Sequence, residues 1–140
     1  MPRSGLLRRG ALWPALEIAE SLRAEGFGRS VVPCLKRAIA VPKAATSRAE
    51  ERPKARAHFE SLELLDPLAL PAKITLVDDV VTRGAQLFGA AWKIWAMRPN
   101  VEVRAFAVIR TVSALEDFAA TADPCTGRIE WRDEECRRRP

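Results

Sequence analysis

Apolar and polar positions in the first half of the chain predict one helix and two short strands. Residues 12–24 carry apolar side chains at helical spacing, and Gly26 and Gly28 follow and are expected to end the helix. A β-branched run at 31–35 predicts a short strand, with its proline at a strand end or edge. A weak alternation at 58–64 predicts a second strand.

The second half of the chain alternates strand and helix patterns more strongly. A compact apolar run at 73–78 predicts a buried parallel strand, 84–97 predicts a helix, and 101–109 alternates as a strand does. A short helix is expected to start at Ser113, and 129–131 predicts a last strand. This order predicts an α/β fold with an open, mostly parallel sheet and helices on both faces.

Two polar segments interrupt the pattern of this single predicted domain, 1–140. Residues 44–57 are highly charged and almost without apolar anchors, so we expect a flexible basic loop. His58, the only histidine of the chain, is expected to be an exposed loop residue beside it, with a general base as the alternative. The charged tail 132–140 is expected to fray.

Composition narrows the class of protein and of ligand. With 140 residues and 48% apolar content, the chain is long enough for one core. No apolar run approaches the length of a transmembrane helix, so no membrane association is expected. Three cysteines without CxxC spacing argue against a disulfide framework or a zinc site and favour a reducing cytoplasm. The chain has 23 basic and 18 acidic residues, and this positive net charge favours anionic ligands, among them nucleic acid. An arginine-rich composition alone could also explain the net charge.

The most informative segment is 74–87, which reads ITLVDDVVTRGAQL. A buried strand is followed by two adjacent carboxylates, a short turn with Gly84, and the start of a helix. Ligands of open α/β sheets bind beyond the carboxyl ends of strands, and a helix N-terminus suits a phosphate. Carboxylates beside a phosphate fit a ribose diol, whose hydroxyls donate to them, together with Mg²⁺. Capping of the helix by acids is the structural alternative, but it accounts for only one of the two carboxylates.

This segment resembles the phosphoribosyl-pyrophosphate (PRPP) motif of type I phosphoribosyltransferases. The resemblance implies that Asp78 and Asp79 hold the ribose hydroxyls as the catalytic pair and, indirectly, Mg²⁺. It further implies a 5′-phosphate site, made of Thr82, Arg83, Gly84, Ala85 and Gln86. Gln86 departs from the motif, since the family usually has Thr or Ser there.

The wider layout is similar to that of competence-protein-F-like phosphoribosyltransferases. In that class a basic loop closes over PRPP. The resemblance therefore implies pyrophosphate binding by Lys36, Arg37, Lys43 and Arg52. A basic loop that is only solvated is the alternative. The usual first strand is missing, and Arg3 and Ser4 resemble its pyrophosphate loop. Three explanations stay open: a natural short form, a start further upstream, or a strand supplied by a partner. An uncovered sheet border also predicts a homodimer.

Two functions of different classes follow from these expectations. The first is a phosphoribosyltransferase, which transfers phosphoribosyl from PRPP to a small nitrogenous acceptor and releases pyrophosphate. The second is a non-catalytic phosphoribosyltransferase-like protein that senses nucleotides or works in DNA uptake or processing. A Rossmann-type dinucleotide binder is excluded because no GxGxxG follows a strand.

Overall fold

The computed structural model describes residues 1–6, 10–42, 51–111 and 123–139, which form a mixed α/β structure. Its helices and strands, in chain order, are α1 (Pro14–Ala24), β1 (Leu35–Arg37), α2 (Ala55–Ser61), β2 (Leu62–Leu64), a 3₁₀ turn (Pro67–Ala69), β3 (Lys73–Val81), α3 (Ala85–Met97), β4 (Glu102–Arg110), β5 (Arg128–Arg132) and β6 (Glu135–Arg139). None of the helices in these ranges is long and apolar enough to cross a membrane.

The strands of the described residues pair two by two. β3 and β4 are parallel, with Leu76 opposite Ala105, and α3 connects them. β1 pairs with β2 and β5 with β6, both in antiparallel register. Parallel pairing is therefore confined, within the described ranges, to one βαβ unit.

The core lies between α3 and the strands. Ile94 of α3 and Leu62 of β2 are the largest fully buried side chains. Leu76 of β3 and Leu87 of α3 belong to the same cluster. Burial of a side chain of this size contributes about 1.5–3 kcal/mol, so α3 is the element that the core holds most firmly.

The helix and strand predictions were confirmed where apolar periodicity is long. The helix at 84–97 and the strands at 73–78 and 101–109 correspond to α3, β3 and β4 within a few residues. Helix α1 begins with Pro14 in its first turn, a position where proline needs no hydrogen-bond partner, and Gly26 follows its end with φ +84°.

Three predictions of local structure were wrong. The strand expected at 31–35 lies at Leu35–Arg37, and most of the strand expected at 58–64 belongs to α2. The tail expected to fray contains β6, whose five residues all pair with β5. The start of the expected loop, 44–50, and the helix expected from Ser113 lie outside the described residues, whereas the loop's last residues, 55–57, belong to α2.

Candidate functional site

Two adjacent carboxylates lie near the carboxyl end of β3 and differ in exposure. Successive strand residues point to opposite faces, so Asp78 is buried, with 6% of its surface exposed, while Asp79 is exposed. The Asp79 side chain bends back to its own strand, where its Oδ1 accepts a hydrogen bond from the Val80 N–H at 2.9 Å. Asp79 is therefore the carboxylate that faces solvent.

Asp78 is enclosed by neighbouring polar groups. The side-chain amide of Gln86 donates to Asp78 Oδ2 at 3.2 Å, and the Asp79 N–H donates to Oδ1 at 3.3 Å. Burial raises the pKa of Asp78 from 3.8 to about 6; the Met1 ammonium opposes this shift and Asp79 adds to it. Gln86, a predicted phosphate ligand, is thus engaged with the buried acid.

The turn after β3 leads directly into α3. Thr82 and Arg83 are exposed, and Gly84 occupies the N-cap position of α3 with φ +88°. No side chain caps this helix end, so the N–H groups of its first turn, from Ala85 onward, remain for water or an anion. The predicted phosphate turn therefore has the backbone form that such a site needs.

Arg37 is held in the interior, next to the carboxylate region. It is 2% exposed, and its Nε donates to the Arg3 carbonyl at 3.0 Å while Nη1 donates to Ser61 Oγ at 2.5 Å. Its Nη2 is buried without a partner among the described residues. Burial lowers the pKa of Arg37, and the nearby Asp78 opposes that shift. The structure thus brings Arg37 toward the acids.

The other predicted pyrophosphate residues do not gather at this point. Lys36 lies on the opposite face of β1, where its ammonium is 4.0 Å from the Glu63 carboxylate. The Arg3 guanidinium is exposed and donates to a main-chain carbonyl at 3.1 Å. Ser4 is half-buried and Arg52 exposed, whereas Lys43 lies outside the described residues.

Sequence reasoning missed His58, which is buried rather than exposed. Only 4% of its surface is accessible, because Ala55, His58 and Ser61 recur every third residue and form the inner face of α2. Burial lowers the pKa of His58 to about 4, and the Arg37 charge adds to that effect. That three-residue spacing is the signal that could have predicted both the helix and the burial.

The donor set fits magnesium only as part of a ligand complex. Within the described residues no three His, Cys, Asp or Glu side chains converge on one point. Asp78 and Asp79 supply oxygen atoms, which Mg²⁺ prefers, and Mg²⁺ usually takes its other ligands from water and substrate phosphates. Asp79, the exposed acid, offers its oxygen atoms to such a complex, whereas Asp78 is buried.

Comparisons of the chain with protein families, curated proteins and solved structures returned no match.

Proposed function

We propose that the chain binds PRPP at the carboxyl end of β3 and acts as a phosphoribosyltransferase. One observation carries the proposal: a parallel strand presents two adjacent acids and continues through an uncapped turn into a helix N-terminus. A ribose diol and a 5′-phosphate would meet complementary groups there, at the edge where α/β folds bind ligands. The proposal also expects β3 and β4 to belong to a wider, mostly parallel sheet.

Each part of the site would have a distinct role. The exposed Asp79 would accept hydrogen bonds from the ribose hydroxyls, and Asp78 would complete the diol contact once Gln86 turns from it. Residues 82–86 would hold the 5′-phosphate through main-chain N–H groups, the Thr82 hydroxyl and the Arg83 guanidinium. Asp78 and Asp79 would hold Mg²⁺ indirectly, through the bound ligand, and the ion would supply positive charge that offsets the charge of the leaving pyrophosphate.

In the proposed reaction, a nitrogen of the acceptor attacks the anomeric carbon of the ribose. The bond from that carbon to the pyrophosphate oxygen breaks, and pyrophosphate leaves with the bonding electrons. The protein would contribute mainly by positioning the reactants and by stabilising the positive charge that develops on the ribose.

A non-catalytic binding protein is the second candidate, and the contact between Gln86 and Asp78 favours it. The buried acid already has a hydrogen-bond donor at 3.2 Å, so only Asp79 is directly available to a ribose. A site that offers one free carboxylate could recognise PRPP or a nucleotide as a sensor without turnover.

The first test is calorimetric titration with Mg-PRPP. We expect Asp79→Asn to weaken binding about ten- to a hundredfold, since a charge-assisted hydrogen bond contributes roughly 1.5–3 kcal/mol. Thermal stability should hardly change, because Asp79 is exposed. The matched control is Asp66→Asn: Asp66 is exposed and has φ +43°, a conformation that Asn tolerates, so its affinity should equal that of the wild type.

The second test separates the two candidates by turnover. Pyrophosphate release would be measured with Mg-PRPP and a panel of purine and pyrimidine bases. Release that depends on a base and disappears in Asp79→Asn supports the enzyme, and tight PRPP binding without release supports the sensor. No PRPP binding at millimolar concentration would exclude both.

A further inference from the structure

A cleft of about 540 Å³ lies between the turn after β3 and the hairpin formed by β5 and β6. Thr82, Arg83 and Thr111 line one side, and the arginines at 137–139 line the other. Ligand clefts commonly enclose about 300–1,000 Å³, so this one is large enough for a small molecule. Neither Asp78 nor Asp79 contributes to its walls.

The cleft carries an excess of positive charge. Four arginines line it against one carboxylate, that of Glu135, which lies 3.7 Å from the Arg83 guanidinium. Arg137 stands opposite Glu130 in the hairpin register, yet its side chain has no ion pair or hydrogen bond within the described residues. A guanidinium without a protein partner is available to an anion.

The outer face of the hairpin also concentrates like charges. Arg128 and Arg139 are directly opposite each other in the register, an arrangement that destabilises antiparallel strands. Among the described residues Glu130 offsets it, with ion pairs to Arg128 at 3.1 Å and to Arg139 at 3.0 Å, and it also lies 3.8 Å from Arg132. The arginines on this face of the hairpin therefore already share a protein carboxylate, unlike Arg137.

Arg138 supplies a fixed donor on the wall of the cleft. Its Nη2 donates to the Thr111 carbonyl at 2.7 Å, which holds the guanidinium in place. Its Nε is buried and has no partner within the described ranges. A buried donor without an acceptor is unfavourable, and an oxyanion in the cleft would satisfy it.

We propose that this cleft binds a phosphate ester, held by the guanidinium groups of β6 and by the Thr82 and Thr111 hydroxyls. An arginine guanidinium can donate two parallel hydrogen bonds to two phosphate oxygens, and such charge-assisted hydrogen bonds are stronger than neutral ones. The thiol of Cys136, which also lines the cleft, stays protonated, because burial raises its pKa to about 11. The cleft shares Thr82 and Arg83 with the proposed 5′-phosphate site, but it uses neither ribose-binding acid, and its β6 arginines have no part in that site.

The test is calorimetric titration with phenyl phosphate, which has no ribose diol. We expect Arg137→Ala to weaken binding about tenfold, the value of one lost charge-assisted contact. The affinity of Arg137→Lys should lie between those of the wild type and Arg137→Ala, because an ammonium keeps the charge but cannot form two parallel hydrogen bonds. The matched control is Arg128→Ala: its side chain is 78% exposed on the same hairpin but outside the cleft, so affinity should change less than twofold.

A second titration with an eight-residue oligothymidylate distinguishes the source of the phosphate. Comparable binding of both probes indicates a free phosphate ester, whereas much tighter oligonucleotide binding with steep salt dependence indicates a nucleic-acid backbone. The proposal is overturned if neither probe binds at millimolar concentration, or if Arg128→Ala weakens binding as much as Arg137→Ala. Arg137→Ala should leave the affinity for Mg-PRPP unchanged, which keeps failure of this site distinct from failure of PRPP binding.

Discussion

Helix α3 contacts its surroundings in two different ways, each centred on a glycine. The first region, called the α2 flank, is the contact of residues 55–61 with α3. There a Cβ on Gly89 would lie 2.5 Å from the Ala55 carbonyl oxygen and 2.7 Å from His58 Cβ. The second region, called the N-terminal end, is residues 82–86 facing the hairpin 128–139. There the three nearest atoms to a Cβ on Gly84 all belong to the Ile129 side chain, with Cδ1 at 2.5 Å. In the α2 flank, main-chain atoms leave no space for a Cβ on the glycine. At the N-terminal end, that space is filled by a side chain that can move.

The two regions also differ in whether their basic side chains are buried or exposed. The α2 flank contains Arg37 and His58 in the interior, and burial moves the pKa of each toward its neutral form. The N-terminal end leaves Arg83 and Arg137 exposed beside a cleft. A buried cation contributes to specificity of packing at a cost in stability, while an exposed one is free for a ligand. The two regions therefore differ in the exposure of their charged groups, which are buried beside α2 and exposed at the N-terminal end.

The largest expected effect concerns the pH dependence of the α2 flank. The pKa of His58 is about 4 in the folded protein against 6.5 ordinarily, so the unfolded chain takes up a proton first as the pH falls. The stability that neutral His58 contributes is present above pH 6.5 and is lost as the pH falls toward 4, in total about 3 kcal/mol. We expect His58→Gln to remove this loss in urea unfolding at pH 7 and pH 4.5.

The counterpart beside the N-terminal end is Asp78, which accepts a hydrogen bond from Gln86, and its effect has the opposite sign. Its pKa is raised from 3.8 to about 6, so its contribution is present below pH 3.8 and is lost as the pH rises through 6. The two shifts are similar in size and opposite in sign, so in the wild type they nearly cancel between pH 4 and 6.5. Asp78→Asn should therefore reveal a rise of stability with pH in this range, and His58→Gln should reveal a fall. Identical profiles for the two variants and the wild type would contradict the assignment of these groups.

The next effect tests whether the α2 flank is rigid. Gly89→Ala should lower the free energy of unfolding by about 2 kcal/mol, because main-chain atoms of α2 must shift, and this outweighs the roughly 1 kcal/mol that Ala gains in a helix. Urea unfolding measures the difference. Gly28→Ala is the control: no atom lies within 4 Å of its Cβ position, so no loss is expected. A neutral Gly89→Ala would mean that α2 yields easily.

The sequence predicted the parts of the fold in which one pattern dominates. Strand β3 and helix α3 have long, clear apolar patterns, so each could be predicted although α3 packs mainly on α2. The acids Asp78 and Asp79 and the Thr82–Gly84 turn could be recognised because the motif is contiguous. Their predicted order along one βαβ unit agrees with the structure.

Features that depend on distant contacts could not be predicted. β6 pairs with β5 although Arg128 faces Arg139, so the burial of Cys136 and Ile129 against the rest of the chain outweighs the repulsion. Arg37 is buried with its guanidinium hydrogen-bonded to Ser61, 24 residues away in the sequence. No local sequence pattern predicts that contact. The difference in exposure between Asp78 and Asp79 likewise follows from the groups that enclose one face of β3.

The smallest expected effect sharpens the comparison at Gly84. Gly84→Ala should cost about 1 kcal/mol, since a non-glycine residue at φ +88° is strained by roughly that amount. The contact with Ile129 should add little, because a flexible side chain can move away. A double-mutant cycle with Ile129→Ala separates the two causes. If backbone strain dominates, Gly84→Ala costs nearly the same in both backgrounds. If its cost vanishes when Ile129 is truncated, the hairpin is held as rigidly as α2, and the N-terminal end of α3 is as closed as the α2 flank.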